Sequence, residues 1–367
     1  MNTKKLSAWV TAALFCLFIF GFGILHVLTP DKGFSPVENR SLAQRPDFTW
    51  QSLVDGKYIP ALEKYMADQF PFRDSWMGLE SRYSWLMGHR EFNGVFLAGD
   101  ALISQVSDER RVDKNLAAVS SLVEKTDKPV YLGLIPTAAE VWRDKLPSGA
   151  YSMDQLALLE RAKETGAIWV DMGGALTAHK DEYIYYRTDH HWTSLGAYYG
   201  YAAFMEAQGR EPAPLGHMTT VSEDFNGTLY SSSGIHWLEP DRIDRYVSSE
   251  GITVEDPIKK VEHGLYVDSF LQEKDKYSSF MGGNTPLYVV KDPNAATDKK
   301  LLVIRDSFSD SLAPFLAQEY SEIHLLDLRY YKTPVSKYAE DNGMDEIFIC
   351  YSVDNFAKDI DALFIGR

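Results

Sequence analysis

The stretch KKLLVIRDSFSDSLAPFL, Lys299 to Leu316, decides the fold. Leu301 to Ile304 form a short, uninterrupted apolar run of the kind that makes a strand buried on both faces. Arg305 and Asp306 end it, and the pattern turns helical from Ser309. A strand running directly into a helix is the unit of a parallel sheet with crossover helices. Ser307 stands at the junction, near the positive end of the following helix, where free backbone N–H groups can hold an oxyanion. The position equally suits a serine that only caps the helix. A nearby base decides between the two readings.

Outward from this unit the same alternation recurs. Strand EIHLLDL (322–328), helix 334–341 and strand EIFICYSV (346–353) follow it. Ahead of it lie helix 113–126, strand PVYLGLIPT (129–137), helix 153–165, strand AIWVDM (167–172) and helix 194–208. The fold class is therefore α/β, a parallel sheet flanked by helices. EFNGVFLAGDALIS (91–104) alternates around Asn-Gly and Gly-Asp and reads as a hairpin. From 211 to 300 turns dominate, notably DFNGTLYSSSG and YSSFMGGNTPL, and predict an irregular or partly β insertion.

The second chemical stretch is RTDHHWTSLGAYYGYAAF, Arg187 to Phe204. In an extended segment residues two apart share a face, so Asp189 can orient the imidazole of His191, with His190 and Trp192 pointing the other way and Trp192 packing. Thr193 or Ser194 can cap the following helix. A carboxylate-oriented histidine is the base that Ser307 needs. The sharp competitor is a metal site on Asp189, His190 and His191 for a phosphoesterase, since imidazole and carboxylate suit zinc or manganese. His179, His217, His236, His263 and His324 are scattered in sequence and supply no companion ligand cluster. The reading requires no metal and no cofactor.

At the amino end, Lys4 and Lys5 precede an apolar run from Ala8 to Leu28 without Asp, Glu, Lys or Arg. About 20 helical residues at 1.5 Å rise cover the roughly 30 Å hydrocarbon core. The paired lysines favour a cytoplasmic amino end, which places the rest outside the cytoplasm. No small-x-small cleavage pattern follows, so the run reads as a single-pass anchor. Residues 1–29 are then tip and anchor, 30–90 a linker and two lead-in helices broken at QFPFRD, and 91–367 the α/β domain. Arg73 in that break reads as a structural ion-pair residue. A formal charge of −15 across 367 residues excludes a nucleic-acid binder, which needs a basic face. Two cysteines, Cys16 in the apolar run and Cys350 in a strand, offer neither a disulfide nor a thiolate metal site.

These residues resemble the DHHW family of bacterial proteins, through DHHW at Asp189 to Trp192, and more distantly the SGNH-like alginate O-acetyltransferases. VENRSLAQRPDF, YMADQFPFRDSW, FNGVFLAGDALI, TDHHWTSLGAY, DFNGTLYSSSG, VIRDSFSDSLAPFL and IHLLDLRYY carry the likeness over most of the chain after the anchor. The resemblance implies an SGNH-hydrolase-like fold with permuted motif order, Asp189 and His191 preceding Ser307. It also implies acetyl transfer or deacetylation on an exopolysaccharide or wall polymer, with Ser307 as nucleophile, His191 as base and Asp189 orienting it. Outside the cytoplasm acetyl-CoA is absent, so an integral-membrane acyltransferase is the expected donor partner.

Arg305 and Asp306 replace the glycine-led GDS of SGNH hydrolases, and a carboxylate at Asp306 must turn away from the nucleophile. Asn284 and, second, Asn355 are candidates for the side-chain oxyanion donor. Arg329 and Tyr330, beyond strand HLLDL, are candidates for contacts to sugar hydroxyls or rings, and with Tyr331 they equally suit plain packing. The alternative function is a carbohydrate-binding or assembly protein of the envelope that keeps the fold without turnover.

Overall fold

The computed structural model describes residues 3–35, 37, 38 and 40–367, with backbone alone for 3–5, so the side chains of Lys4 and Lys5 lie outside the described residues. The chain divides into two compact units, one of residues 1–89 with 234–236 and one of 90–233 with 237–367.

The first unit begins with helix α1, Thr3–Leu28. Its segment Leu6–Leu28 has mean hydropathy 2.3 and is long and apolar enough to cross a membrane. Helices α2 (Tyr58–Asp68) and α3 (Arg73–Leu86) follow. Within the stretch expected as a linker, Lys32, Arg40 and Ala43 are fastened to the end of α2. Asp68 accepts from both terminal nitrogens of Arg40, at 2.9 and 2.6 Å, and from the Ala43 N–H at 2.8 Å. The Gln69 side chain bonds both backbone groups of Lys32 and the carbonyl of Ala43. Arg73 pairs with Glu38, the structural role expected of it. Polar side chains thus supply here the order that the segment lacks in apolar periodicity.

The second unit is built on an eight-stranded sheet. Its strands are β1 (Val130–Ile135), β2 (Ile168–Trp169), β3 (Thr253–Asp256), β4 (Val261–His263), β5 (Leu287–Lys291), β6 (Thr297–Arg305), β7 (Tyr320–Leu326) and β8 (Glu346–Ser352). They lie in the order β4-β3-β5-β7-β6-β8-β1-β2. The five strands from β7 to β2 are parallel and the remaining pairings antiparallel. The helices flanking the sheet are α4 (Val112–Lys125), α5 (Gln155–Ala162), α6 (Met172–Ala178), α7 (Ser194–Ala207), α8 (Ser309–Ala317) and α9 (Val335–Asp341), and α10 (Val353–Lys358) follows β8. This is the expected α/β architecture, a mostly parallel sheet flanked by helices.

The central strand explains the two-sided core. Leu301 and Val303 pack with α6, α7 and α8, while Leu302 and Ile304 pack with α4, α5 and α9. All four are fully buried, each contributing roughly 2 kcal/mol of apolar transfer free energy. The expected insertion is more ordered than its turns suggest. Three of its segments, β3, β4 and β5, extend the main sheet as antiparallel strands. In β3 buried residues alternate with half-buried ones, a pattern too short to stand out among Gly, Ser and Asp turns. The 91–104 segment forms a three-stranded antiparallel meander with its first turn at Asn93 and Gly94, both at positive φ. Leu102 of that meander donates its N–H to the carbonyl of Arg187 at 2.7 Å, bracing the start of the DHHW loop.

Candidate active site

Ser307 sits at the carboxyl end of β6, two residues before α8. The turn that carries it is held from both sides. Arg305 is fully buried and pairs with Asp310 in the first turn of α8, so an ion pair spans the serine. Asp306 is also fully buried. Its Oδ1 accepts from the Phe308 N–H at 3.1 Å. Its Oδ2 accepts from the N–H and hydroxyl of Ser352 at 2.9 and 2.7 Å, and from Nδ2 of Asn355 at 2.8 Å. The carboxylate is therefore spent on the turn after the neighbouring β8. Among the described residues the Ser307 N–H has no acceptor.

The histidine arrives on a loop between α6 and α7. Buried Asp241 holds the start of this loop, accepting from the N–H groups of Arg187 and Thr188 at 2.9 and 2.8 Å, and from the hydroxyls of Thr188 and Tyr183 at 2.6 Å each. Asp189 and His191 meet as sequence spacing suggests, yet the backbone there is a bend and not an extended strand. Asp189 Oδ1 accepts the His191 N–H at 3.0 Å, closing a local turn that brings the ring onto the same carboxylate. The distance from Asp189 Oδ1 to His191 Nδ1 is 2.6 Å, and from His191 Nε2 to Ser307 Oγ 2.8 Å. Asp189, His191 and Ser307 thus form one hydrogen-bonded line.

Asp189 is secured further by Thr228, whose N–H and hydroxyl reach Oδ2 at 2.7 and 3.0 Å. Gly227 makes that approach possible, since a Cβ there would fall 2.3 Å from the Cβ of Asp189. Burial alone would raise the Asp189 carboxyl, but the charges of His190 and His191, the His191 hydrogen bond and the Thr228 N–H outweigh it and hold the carboxyl well below its ordinary range. Lys274 donates to the carbonyl of Asn226 in the same turn at 2.7 Å, and burial lowers its ammonium to about 8.

His190 does not point away from His191. Its ring lies 3.9 Å from that of His191, and its Nδ1 is 2.7 Å from the Thr228 hydroxyl. That hydroxyl donates its one hydrogen to Asp189, so His190 must donate at Nδ1. Trp192, expected as packing, is fully buried and also donates its indole N–H to the carbonyl of Phe308 at 2.9 Å, one residue past the serine. Gly200 of α7 leaves room for the indole, since a Cβ there would fall 2.7 Å from it. Thr193 caps α7 as expected, accepting from the Gly196 N–H. Tyr277 stacks on the His191 ring at 3.9 Å and 9°, and its hydroxyl donates to the Ser307 carbonyl at 3.0 Å. Sequence reasoning passed over Tyr277, Thr228 and Asp241. Only Thr228 left a trace, as the residue after the Asn-Gly of DFNGT.

The remaining candidates divide. Asn355 lies beside the serine's turn through Asp306. Asn284 is exposed, and among the described residues it makes no hydrogen bond to the three aligned residues; its carbonyl accepts from Lys259. Arg329 follows β7, next to β6 in the sheet, and is engaged by Asp327 through Nε at 2.9 Å and Nη2 at 2.6 Å. Tyr330 is exposed beside it, whereas Tyr331 packs against the core. One donor atom from each of Asp189, His190 and His191 lies within 4.8 Å of the others, a partial metal-ligand set. The Asp189 and His191 atoms hydrogen-bond each other and His190 Nδ1 bonds Thr228, so a metal ion here would have to displace those bonds.

A family profile described as DHHW protein matches residues 95–326. The crystal structure of a DHHW family protein from Eubacterium siraeum DSM 15702 is similar, with a TM-score of 0.65 and 26% identity over 75% of this chain and 95% of that one. Bacillus cereus PatB1, solved with a sulfonyl adduct, gives 0.61 and 20% over 74% of this chain and 97% of its own. The O-acetyltransferase domain of Pseudomonas putida AlgJ gives 0.47 and 15% over 75% and 99%. No curated protein matches the chain significantly.

Proposed function

The chain belongs to the DHHW protein family, and from that premise we propose that it is an extracytoplasmic acyl-transfer enzyme working through Ser307, His191 and Asp189. The observation that carries the reading is the line from Asp189 Oδ1 through both ring nitrogens of His191 to Ser307 Oγ, at 2.6 and 2.8 Å. A serine that merely capped α8 would not need a carboxylate-held imidazole on its hydroxyl.

In the proposed cycle Ser307 Oγ attacks the carbonyl carbon of an acyl ester while His191 Nε2 takes the hydroxyl proton. Asp189 keeps the Nδ1–H tautomer and stabilises the imidazolium. The oxyanion is held by the Ser307 N–H and the second amide hydrogen of Asn355, with the first fixed on Asp306. His191 returns the proton to the departing alcohol, leaving an acyl-serine. An acceptor hydroxyl then gives its proton to His191 and attacks the acyl carbon, and His191 passes that proton to the departing Ser307 Oγ, restoring both groups. When the acceptor is a sugar the reaction is a transfer, and when it is water a hydrolysis.

The likeness of the motifs to the alginate O-acetyltransferases supports acetyl as the acyl group and a cell-surface polysaccharide or wall polymer as acceptor. The apolar α1 supports attachment to the membrane, beside an integral-membrane donor partner. Arg329 and Tyr330, just beyond β7, the strand next to β6, are the proposed sugar contacts. The test is turnover of p-nitrophenyl acetate by the protein in detergent, with and without sugar acceptors, against Ser307→Ala and His191→Ala. Loss in both variants with acetylated sugar as product supports transfer. Turnover equal to that of folded variants assigns the fold to carbohydrate binding, and stoichiometric zinc or manganese would favour the metal reading.

A further inference from the structure

We infer that α3 lies flat on the outer face of the bilayer, its apolar side in the lipid interface, as a second membrane contact beside α1. The inference rests on the reading of α1 as a membrane-crossing helix. Phe72, Trp76, Leu79, Tyr83 and Leu86 recur at intervals of three and four residues and form one stripe along α3. All five are exposed, Leu79, Tyr83 and Leu86 at 57%, 62% and 74%. Asp74 and Ser81 lie on the opposite side, and the charged Glu80 and Arg82 flank the stripe along its two edges.

Lipid is favoured as the occupant because the stripe is continuous with α1. Trp76 meets Phe22 of α1 edge-on at 5.8 Å, and Phe70, just ahead of α3, stacks on the same ring at 5.4 Å and 7°. Phe22 precedes the end of α1, Leu28, by six residues, about 9 Å along a helix axis. A helix in the membrane plane sits about 5 to 10 Å into the boundary of headgroups and acyl chains, with Trp, Phe and Leu on its apolar side. Whatever packs on Phe22 while α1 crosses is therefore at that depth. Arg73, next to Phe72, is paired with Glu38 and does not enter the interface as a lone cation.

The test uses the full chain in phosphatidylcholine–phosphatidylglycerol vesicles with Cys16→Ser, leaving buried Cys350. Single cysteines at Leu17, Leu79, Tyr83 and Glu80 carry an environment-sensitive fluorophore. The expected result is that probes at Leu17, Leu79 and Tyr83 are quenched by acyl-brominated lipid several times more strongly than the probe at Glu80, and are shielded from aqueous iodide. Quenching by bromolipid at Leu17 with iodide access at Leu79 and Tyr83 overturns the inference and leaves the anchor standing. Probes at Leu79 and Tyr83 shielded from both quenchers overturn it in favour of a protein cover, such as a second copy. No bromolipid quenching at Leu17 overturns the anchor and the inference together.

Discussion

The indole N–H of Trp192 donates to the carbonyl of Phe308 at 2.9 Å, tying the last residue of the DHHW motif to the turn that carries Ser307. The loop bearing His191 and the turn bearing Ser307 are thus joined a second time, 116 residues apart in sequence, beyond the His191–Ser307 bond itself. Trp192→Phe should keep most of the ring packing and lose this bond. The Phe308 carbonyl keeps the Ser311 hydroxyl at 3.4 Å, so the loss is that of one net hydrogen bond, about 0.5 to 1.5 kcal/mol. The thermal midpoint should fall, and kcat should fall more than KM changes. A variant with wild-type kcat would show that this bond does not position the turn.

Asp189→Asn tests the tautomer argument. An amide nitrogen facing His191 Nδ1 would make that atom the acceptor and put the ring hydrogen on Nε2, against the Ser307 hydroxyl. Turnover of p-nitrophenyl acetate should fall roughly 10^3 to 10^4-fold while the fold persists. A loss under tenfold would mean that His191 does not act through Asp189.

Asn355→Ala removes a proposed oxyanion donor and one of the donors holding Asp306. Two ligands of that carboxylate, the Ser352 N–H and hydroxyl, stay in place. The expected loss in kcat is about 10^2 to 10^3-fold, the usual effect of removing one such donor. Asn284→Ala, on an exposed turn, should leave kcat unchanged. The reverse ranking would restore Asn284 as the donor.

His190 gives a pH prediction. Burial and the neighbouring charge of His191 lower its imidazole to about 4, against the opposing pull of Asp189, Asp306 and Asp354. In the unfolded chain a histidine titrates near 6.5. Between about 4 and 6.5 the unfolded state therefore holds the extra proton, so the contribution to stability is complete above the unfolded value and is lost as pH falls toward 4. Denaturant midpoints should rise with pH across that window, and His190→Gln should flatten the rise. An unchanged slope would assign it to other groups.

Much of the fold was legible because buried parallel strands are continuous apolar runs, as at Leu301–Ile304 and Ile347–Cys350. Asp189, His191 and Ser307 could be singled out because their types and order carry chemistry in themselves. The geometry joining Asp189 to His191 was less legible, since a bend closed by the His191 N–H leaves no periodic signature. The braces were not legible at all. Asp241, Thr228 and Tyr277 act over gaps of 53, 39 and 30 residues in sequence, on Thr188, Asp189 and Ser307 respectively. A lone aspartate, threonine or tyrosine carries no local mark of such a partner. Nor could composition show that polar side chains would fasten Lys32, Arg40 and Ala43 to Asp68 and Gln69.

The central claim is that His191 activates Ser307, and labelling by a fluorophosphonate tests it most directly. The account predicts a single adduct on the peptide containing Ser307, absent in Ser307→Ala and slowed by orders of magnitude in His191→Ala. Labelling at Ser307 that is indifferent to His191, or none in a folded protein, would contradict it.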